Sequence, residues 1–570
     1  MSLAPDCATT LRICRGALAL LGALIVPTAF AQNTVSVGQN FMYSGSSNLG
    51  ALVMDGGRVG FANFGTGAGF TIEATNATLL RGDIASRYTQ VDPHILNLNG
   101  TTIINAVAGT GAFPADGMYL SAVSSEGSAF LKVRNLNTVN QNGSASLILR
   151  GRVAFENAAS TTYSILGDVG IAAGGDYPDL IFRNGIGATF WKVGGTGTSR
   201  IDVRFDQVSA KVEAWTGRLW FSAGGMHTDS RFYADTFGTN ASGGIDFGGS
   251  HTFNGSTLTQ LGNFSLGNAS AIKVASGTWN QEAFFSVLGR VNIAPGAKLL
   301  NTGRMEAVFG GSLSSVGNLG AVFENASSGV FVGSLAGDEF TTNDRLKVVN
   351  AGAFTVGAGD TVRAREFVNN AGVLTVDGTL DNRGGQLRLL GGELRGSGIV
   401  NGDGIAVGGG PGVAVFNPGN SPGTFTVEGA FELLPGGVLN LEVARLAEGG
   451  VAFDRVVASS FFLNGQVNLL VGAGVEESEV VGLSFLDCGG TCSVAYGSNF
   501  SFAFPGRPGS TLSAGENGLQ ITSLAPVPEP GAYLMLVAGL GLVAAAARRR
   551  KPQLPTFEGW WRLSASIVRH

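Results

Sequence analysis

Two matching segments, twenty positions apart, constrain this chain more than any other feature. Val348-Val349-Asn350-Ala351-Gly352-Ala353-Phe354-Thr355-Val356 is echoed by Val368-Asn369-Asn370-Ala371-Gly372-Val373-Leu374-Thr375-Val376. Looser copies surround Asn301-Thr302-Gly303, Asn325 to Gly329 and Asn382-Arg383-Gly384. Each places Asn and Gly at a corner, where left-handed backbone is tolerated, and then an alternating apolar strand. A unit of about twenty residues cannot bury its apolar face alone, but copies stacked at the ~4.8 Å strand spacing can. The expectation is an all-β fold, an elongated right-handed parallel β-solenoid. Phe354, Val356, Leu374, Val376, Leu387 and Leu389 point inward, and corner Asn side chains hydrogen-bond up and down the stack. The competing architecture is a β-sandwich, whose strands also alternate.

Composition agrees with many short strands and tight turns. Gly contributes 89 of 570 residues, and charged residues only 14% against 44% hydrophobic, so the chain has apolar surface enough to fold. With 17 prolines and no Gly-X-Y period it is not collagen. The net charge of −5 and the lack of a basic stretch outside the two ends argue against a nucleic-acid partner. The four histidines, His94, His227, His251 and His570, are scattered. P-loop and H-E-x-x-H patterns are absent. No catalytic residue, cofactor site or metal site is assigned, and the chain is read as non-enzymatic.

The ends carry targeting information. Arg12 and Arg15 precede an apolar run from Gly16 to Val26, followed by Pro27 and Ala29-Phe30-Ala31. That is the layout of a signal peptide, here residues 1–31, handled by the Sec translocon and signal peptidase and cut after Ala31. At the other end, Pro526, Pro528 and Pro530 break regular structure. Residues 532–547 then carry no charge and are followed by Arg548, Arg549, Arg550 and Lys551. As a helix they span about 24 Å, short for a hydrocarbon core of ~30 Å unless the arginines snorkel. The positive-inside bias leaves the arginines in the cytoplasm and the rest of the chain outside.

Pro528-Glu529-Pro530, the short apolar helix and the arginine cluster together resemble the PEP-CTERM sorting domain of Gram-negative bacteria, over residues 525–551. The resemblance implies recognition of Pro528, Glu529 and Pro530 by a membrane exosortase, an inner-membrane anchored stage, and then a cell-surface or extracellular protein. Residues 552–570, with Trp560 and Trp561, continue past the point where that family usually stops. A second resemblance covers roughly 380–475. Phe416-Asn417-Pro418-Gly419-Asn420-Ser421-Pro422-Gly423-Thr424, Phe453-Asp454-Arg455-Val456-Val457 and Gly465-Gln466-Val467-Asn468-Leu469 look like passenger β-helices of autotransporter-like surface proteins.

The expected organisation is a β-rich, solenoid-type region at 32–300, solenoid repeats at 301–475, and a β cap at 476–524. Within the first region Ile201 to Asp206 alternates cleanly, and Phe190, Trp191, Trp215, Trp220, Phe221, Phe232 and Tyr233 gather. Such aromatics either fill a wide interior or, if exposed, stack on sugar rings. After signal removal Cys488 and Cys492 remain, read as a disulfide across a Gly-rich loop; zinc would need two further ligands. Asp202, Asp206, Asp360 and Glu366 are candidate carboxylates for glycan chemistry on a β-helix, the alternative to scattered solvent-facing acids. Asn401-Gly402-Asp403-Gly404 resembles a calcium turn without the stacked nonapeptide repeat. What the family resemblance implies is a structural or adhesive component associated with exopolysaccharide or biofilm. The alternatives are a polysaccharide lyase or hydrolase on the same scaffold, and a receptor-binding adhesin.

Overall fold

The computed structural model describes residues 32–525, apart from 37–38, 63–68, 88–91, 108–116, 123–128, 176–178, 236–242, 308–309, 316–319, 334–345, 421, 491–492 and 516–517, together with 538–540 and 542–543. The chain winds through three strands per turn, giving a three-sided parallel β-solenoid. One turn runs through Thr189–Lys192 on a first face, Thr198–Ile201 on a second and Arg204–Val208 on a third. The next turn repeats it with Lys211–Ala214, Arg218–Phe221 and Gly225–Thr228, each parallel to its predecessor. The described strands begin with Gln32–Ser36, directly after the expected signal cleavage site.

Stacking continues across residue 300, where Thr278–Gln281 pairs with Lys298–Asn301. From residue 379 the corner between third and first faces tightens. Thr379–Leu389, Ile399–Val407 and Thr424–Leu433 each cover both faces as one bent strand. Gly402 and Gly404, at φ 136° and 125°, make that bend in the second of them. The Asn401–Gly404 segment is thus a corner of the stack.

Period-two alternation fills the interior. Phe354, Val356, Leu374, Val376, Leu387 and Leu389 are all buried. Phe155, Phe182 and Phe205 stack one above another, each pair of centroids 5.2 Å apart and nearly parallel. This is what parallel in-register strands impose on identical inward side chains, since the rungs are ~4.8 Å apart.

The expected asparagine ladder is present. Asn301 donates to Asn325 at 2.7 Å, Asn325 to Asn350 at 2.8 Å, and Asn350 to Asn369 at 2.6 Å. All four are fully buried at the corner between first and second faces. A second ladder, Asn135 to Asn157 to Asn184, ends third-face strands. Asn382 belongs to neither: it sits at another corner, where its Oδ1 accepts from the Phe367 backbone at 3.0 Å. The twenty-residue alignment also needs a correction. Phe354 does pair with Leu374, but Asn350 pairs with Asn369 and not with Asn370. Corners face solvent, so they absorb a residue without moving the strands, whose register the buried side chains hold.

The last turn is covered. The helix Glu477–Val480 and an antiparallel hairpin, Thr511–Gly515 with Gly518–Ser523, lie past it, with Val480, Leu519 and Ile521 buried. Covering the final strands protects an edge that would otherwise offer unpaired backbone to another chain. Among the described residues no helix is long and apolar enough to cross a membrane. The expected span, 532–547, lies outside them except for 538–540 and 542–543, which are helical and exposed.

Candidate functional surfaces

Outward positions of the third face carry a charged column. Strand register aligns Arg134, Glu156, Arg183 and Asp206 on successive turns. Glu156 is shared by three cations, Lys132 at 2.8 Å, Arg183 at 3.3 Å and Arg134 at 3.6 Å. Asp206 pairs with Arg204 at 2.9 Å and accepts the Met226 backbone N–H. These side chains wall a surface groove of about 380 Å³, lined also by Asn157, Asn184 and Gln207.

The aromatic cluster divides by parity. Phe190, Phe221 and Phe232 are buried, whereas Trp191, Trp215, Trp220 and Tyr233 are half-buried on the outside. Trp191 and Trp215 meet edge to face at 6.0 Å, and the Arg200 guanidinium lies 4.1 Å from the Trp220 ring centroid. The interior-filling reading therefore holds for Phe190, Phe221 and Phe232, while the other four residues face outward.

The candidate carboxylates stand apart. Asp202 pairs with Arg200 at 3.0 Å beyond a second-face strand, and Asp206 with Arg204 on the third face. Glu366 pairs with Lys347 at 3.0 Å on the first face, and Asp360 is buried between the second and third. Among the described residues there is also no group of three or more His, Cys, Asp or Glu side chains placed to hold a metal.

The interior holds ionisable groups that composition did not reveal. His227 Nε2 lies 2.8 Å from His251 Nδ1, and His251 Nε2 lies 2.9 Å from the Gly248 carbonyl. Burial pushes His251 down to about 4 and His94 to about 4, and pushes His227 well below its usual value, with the neighbouring His251 adding to the effect. In the unfolded chain these rings take protons near pH 6.5, so the neutral native core loses stability as pH falls from about 6.5 towards 4. Asp454, pushed up to about 6 by burial, acts in the opposite sense, favouring the fold as pH drops below 6. Three rings against one carboxyl leave a net loss. Thermal melts between pH 7.5 and 4 are expected to show a falling midpoint, and the His227→Leu/His251→Leu double variant a flatter profile. Identical profiles would refute this assignment.

Asp454 also explains the Pro-Gly turn. Its Oδ1 accepts the Gly423 N–H at 2.9 Å and its Oδ2 the Glu442 N–H at 2.8 Å, fastening the turn to the adjacent strand. Gly419, at φ 86°, has no room there for a Cβ, which would come within 2.8 Å of that same carboxylate. Cys488 is disulfide-bonded, while Cys492 lies outside the described residues.

The expected cleavage residues Ala29 and Ala31, the tripeptide Pro528, Glu529 and Pro530, and the cluster Arg548, Arg549, Arg550 and Lys551 also lie outside the described residues. No curated protein matches the chain. Residues 526–551 match the PEP-CTERM protein-sorting motif. The chain therefore carries a long parallel β-solenoid ahead of a PEP-CTERM signal, and is an exported protein sorted through exosortase at the membrane.

Proposed function

We propose that the mature protein is a non-catalytic, structural or adhesive component of an extracellular polysaccharide matrix. The observation that supports this most is the disposition of its outward side chains. Arginines and half-buried aromatics recur on the outside from turn to turn, while Asp202, Asp206 and Glu366 are engaged in separate ion pairs on different faces and Asp360 is buried. A repeating polar face suits weak, multivalent attachment to a repeating polymer. General acid–base cleavage of a glycosidic bond instead requires two carboxyls flanking one bond.

Incubating the released protein with the matrix polysaccharide of the producing cells tests this. The expected result is co-sedimentation of the protein with the polymer and no rise in reducing or unsaturated sugar ends. New ends would overturn the reading in favour of a lyase or hydrolase.

A further inference from the structure

We propose that the N-terminal end of the solenoid pairs with the same end of a second copy of this chain, as a two-fold, end-to-end dimer. This goes beyond the matrix reading and does not depend on it. The first turn consists of Gln32–Ser36, Asn40–Tyr43 and Ser47–Asn48. Among the described strands each is paired on one edge only, the first two with Ala51–Ala62 and the third with Thr71–Ala74. Three strands thus present an outer row of backbone N–H and C=O groups, which another strand satisfies better than a glycan or a lipid. The interior is open there as well. Asn33 and Phe41 are in register with Leu52 and Val59, each 1% exposed, and so point inward. Asn33 is nevertheless exposed, and Phe41 is 42% exposed.

Three observations choose the occupant. Residues 32–54 contain no charged side chain and no proline, the residues that normally keep strand edges apart. An uncharged end meets an identical end without repulsion, and strands related by a two-fold axis pair antiparallel. The opposite end of the solenoid is closed. The helix Glu477–Val480 and the hairpin of Thr511–Gly515 with Gly518–Ser523 cover the last turn there, with Leu519 and Ile521 buried. The Tyr496 hydroxyl donates to the Gly515 carbonyl at 3.2 Å, so the hairpin stands where a further rung would stack. Head-to-tail growth is thereby blocked, which leaves a closed dimer. Finally, residues 1–31 leave with the signal peptide, so the segment directly upstream does not cover the mature end.

One rung is small beside the ~800 Å² per partner of a standard interface, so the dimer is expected to dissociate in roughly the micromolar range. Sedimentation velocity and small-angle scattering of the full released protein test this. The expected result is a concentration-dependent dimer with about twice the monomer's maximum dimension. Phe41→Glu and Phe41→Lys are each expected to lose about tenfold or more in dimer affinity at low salt, and an equal mixture of the two to recover it. Met42→Glu and Met42→Lys give the same comparison on a side chain of opposite parity, 50% exposed, whose replacement leaves the core intact. Protein that stays monomeric at about 100 μM, a dimer no longer than the monomer, or growing fibres would overturn the proposal. So would charge variants at both positions that dimerise like the wild type, or mixtures no tighter than the single variants.

Discussion

Asn350→Leu is expected to destabilise the solenoid by about 3 kcal/mol although it keeps the same branched heavy-atom skeleton. Asn350 is fully buried and serves both neighbouring turns, accepting from Asn325 and donating to Asn369. Leucine ends both bonds, leaving the Asn369 Oδ1 without its donor and the buried Gly352 N–H without its acceptor, while Asn325 Nδ2 keeps the Ala353 carbonyl. Each stranded group costs about 1–3 kcal/mol, more than a typical bond contributes when intact. Because each turn contacts only its neighbours, the loss should be local. Hydrogen exchange is expected to quicken in Lys347–Asn350 and Glu366–Asn369, while the turns near residue 200 keep their protection. Uniform quickening along the chain, or none, would contradict the ladder's assigned role.

Lys192→Met should cost a comparable amount, about 3 kcal/mol, by removing a buried ammonium that serves four hydrogen-bond acceptors. The Lys192 side chain is wholly buried, and its ammonium donates to the Gly167 carbonyl at 2.7 Å, the Gly194 carbonyl at 2.8 Å, Asp168 at 2.9 Å and Ser199 at 3.1 Å. Burial pulls this ammonium below the usual lysine range against the opposing pull of Asp168. Methionine retains the aliphatic stem but takes the ammonium from all of these acceptors, of which Gly167 keeps Ser199 and Asp168 keeps the Gly197 N–H. Denaturant unfolding followed by fluorescence of the nearby Trp191 and Trp215 would report the loss. A shift below about 1 kcal/mol would show that these bonds contribute no more than an exposed ion pair.

The regular repeats near 350 and 370 were legible because corner and strand motifs recur there with almost constant spacing. The N-terminal half follows the same plan but varies its corners. Asn157 reaches Asn184 across 27 residues, whereas Asn350 reaches Asn369 across 19. Fixed-period comparison loses that signal, although strand parity keeps it. Parity places Lys192 inward with Phe190 and Gln207 inward with Phe205, and places Trp191 and Trp220 outward. The His227–His251 contact carried no comparable signal, because it depends on which turns stack, and corner length sets that. The sorting tripeptide was readable for a different reason: its three parts follow one another in the chain without any fold.

The central claim is that the solenoid is exported and then separated from its C-terminal signal. Intact-mass measurement of the protein released into the medium tests this most directly. The predicted mass corresponds to a chain that begins at Gln32 and ends near Pro528-Glu529-Pro530, lacking residues 532–570. Released protein that retains the apolar segment 532–547 and the arginine cluster would contradict the account.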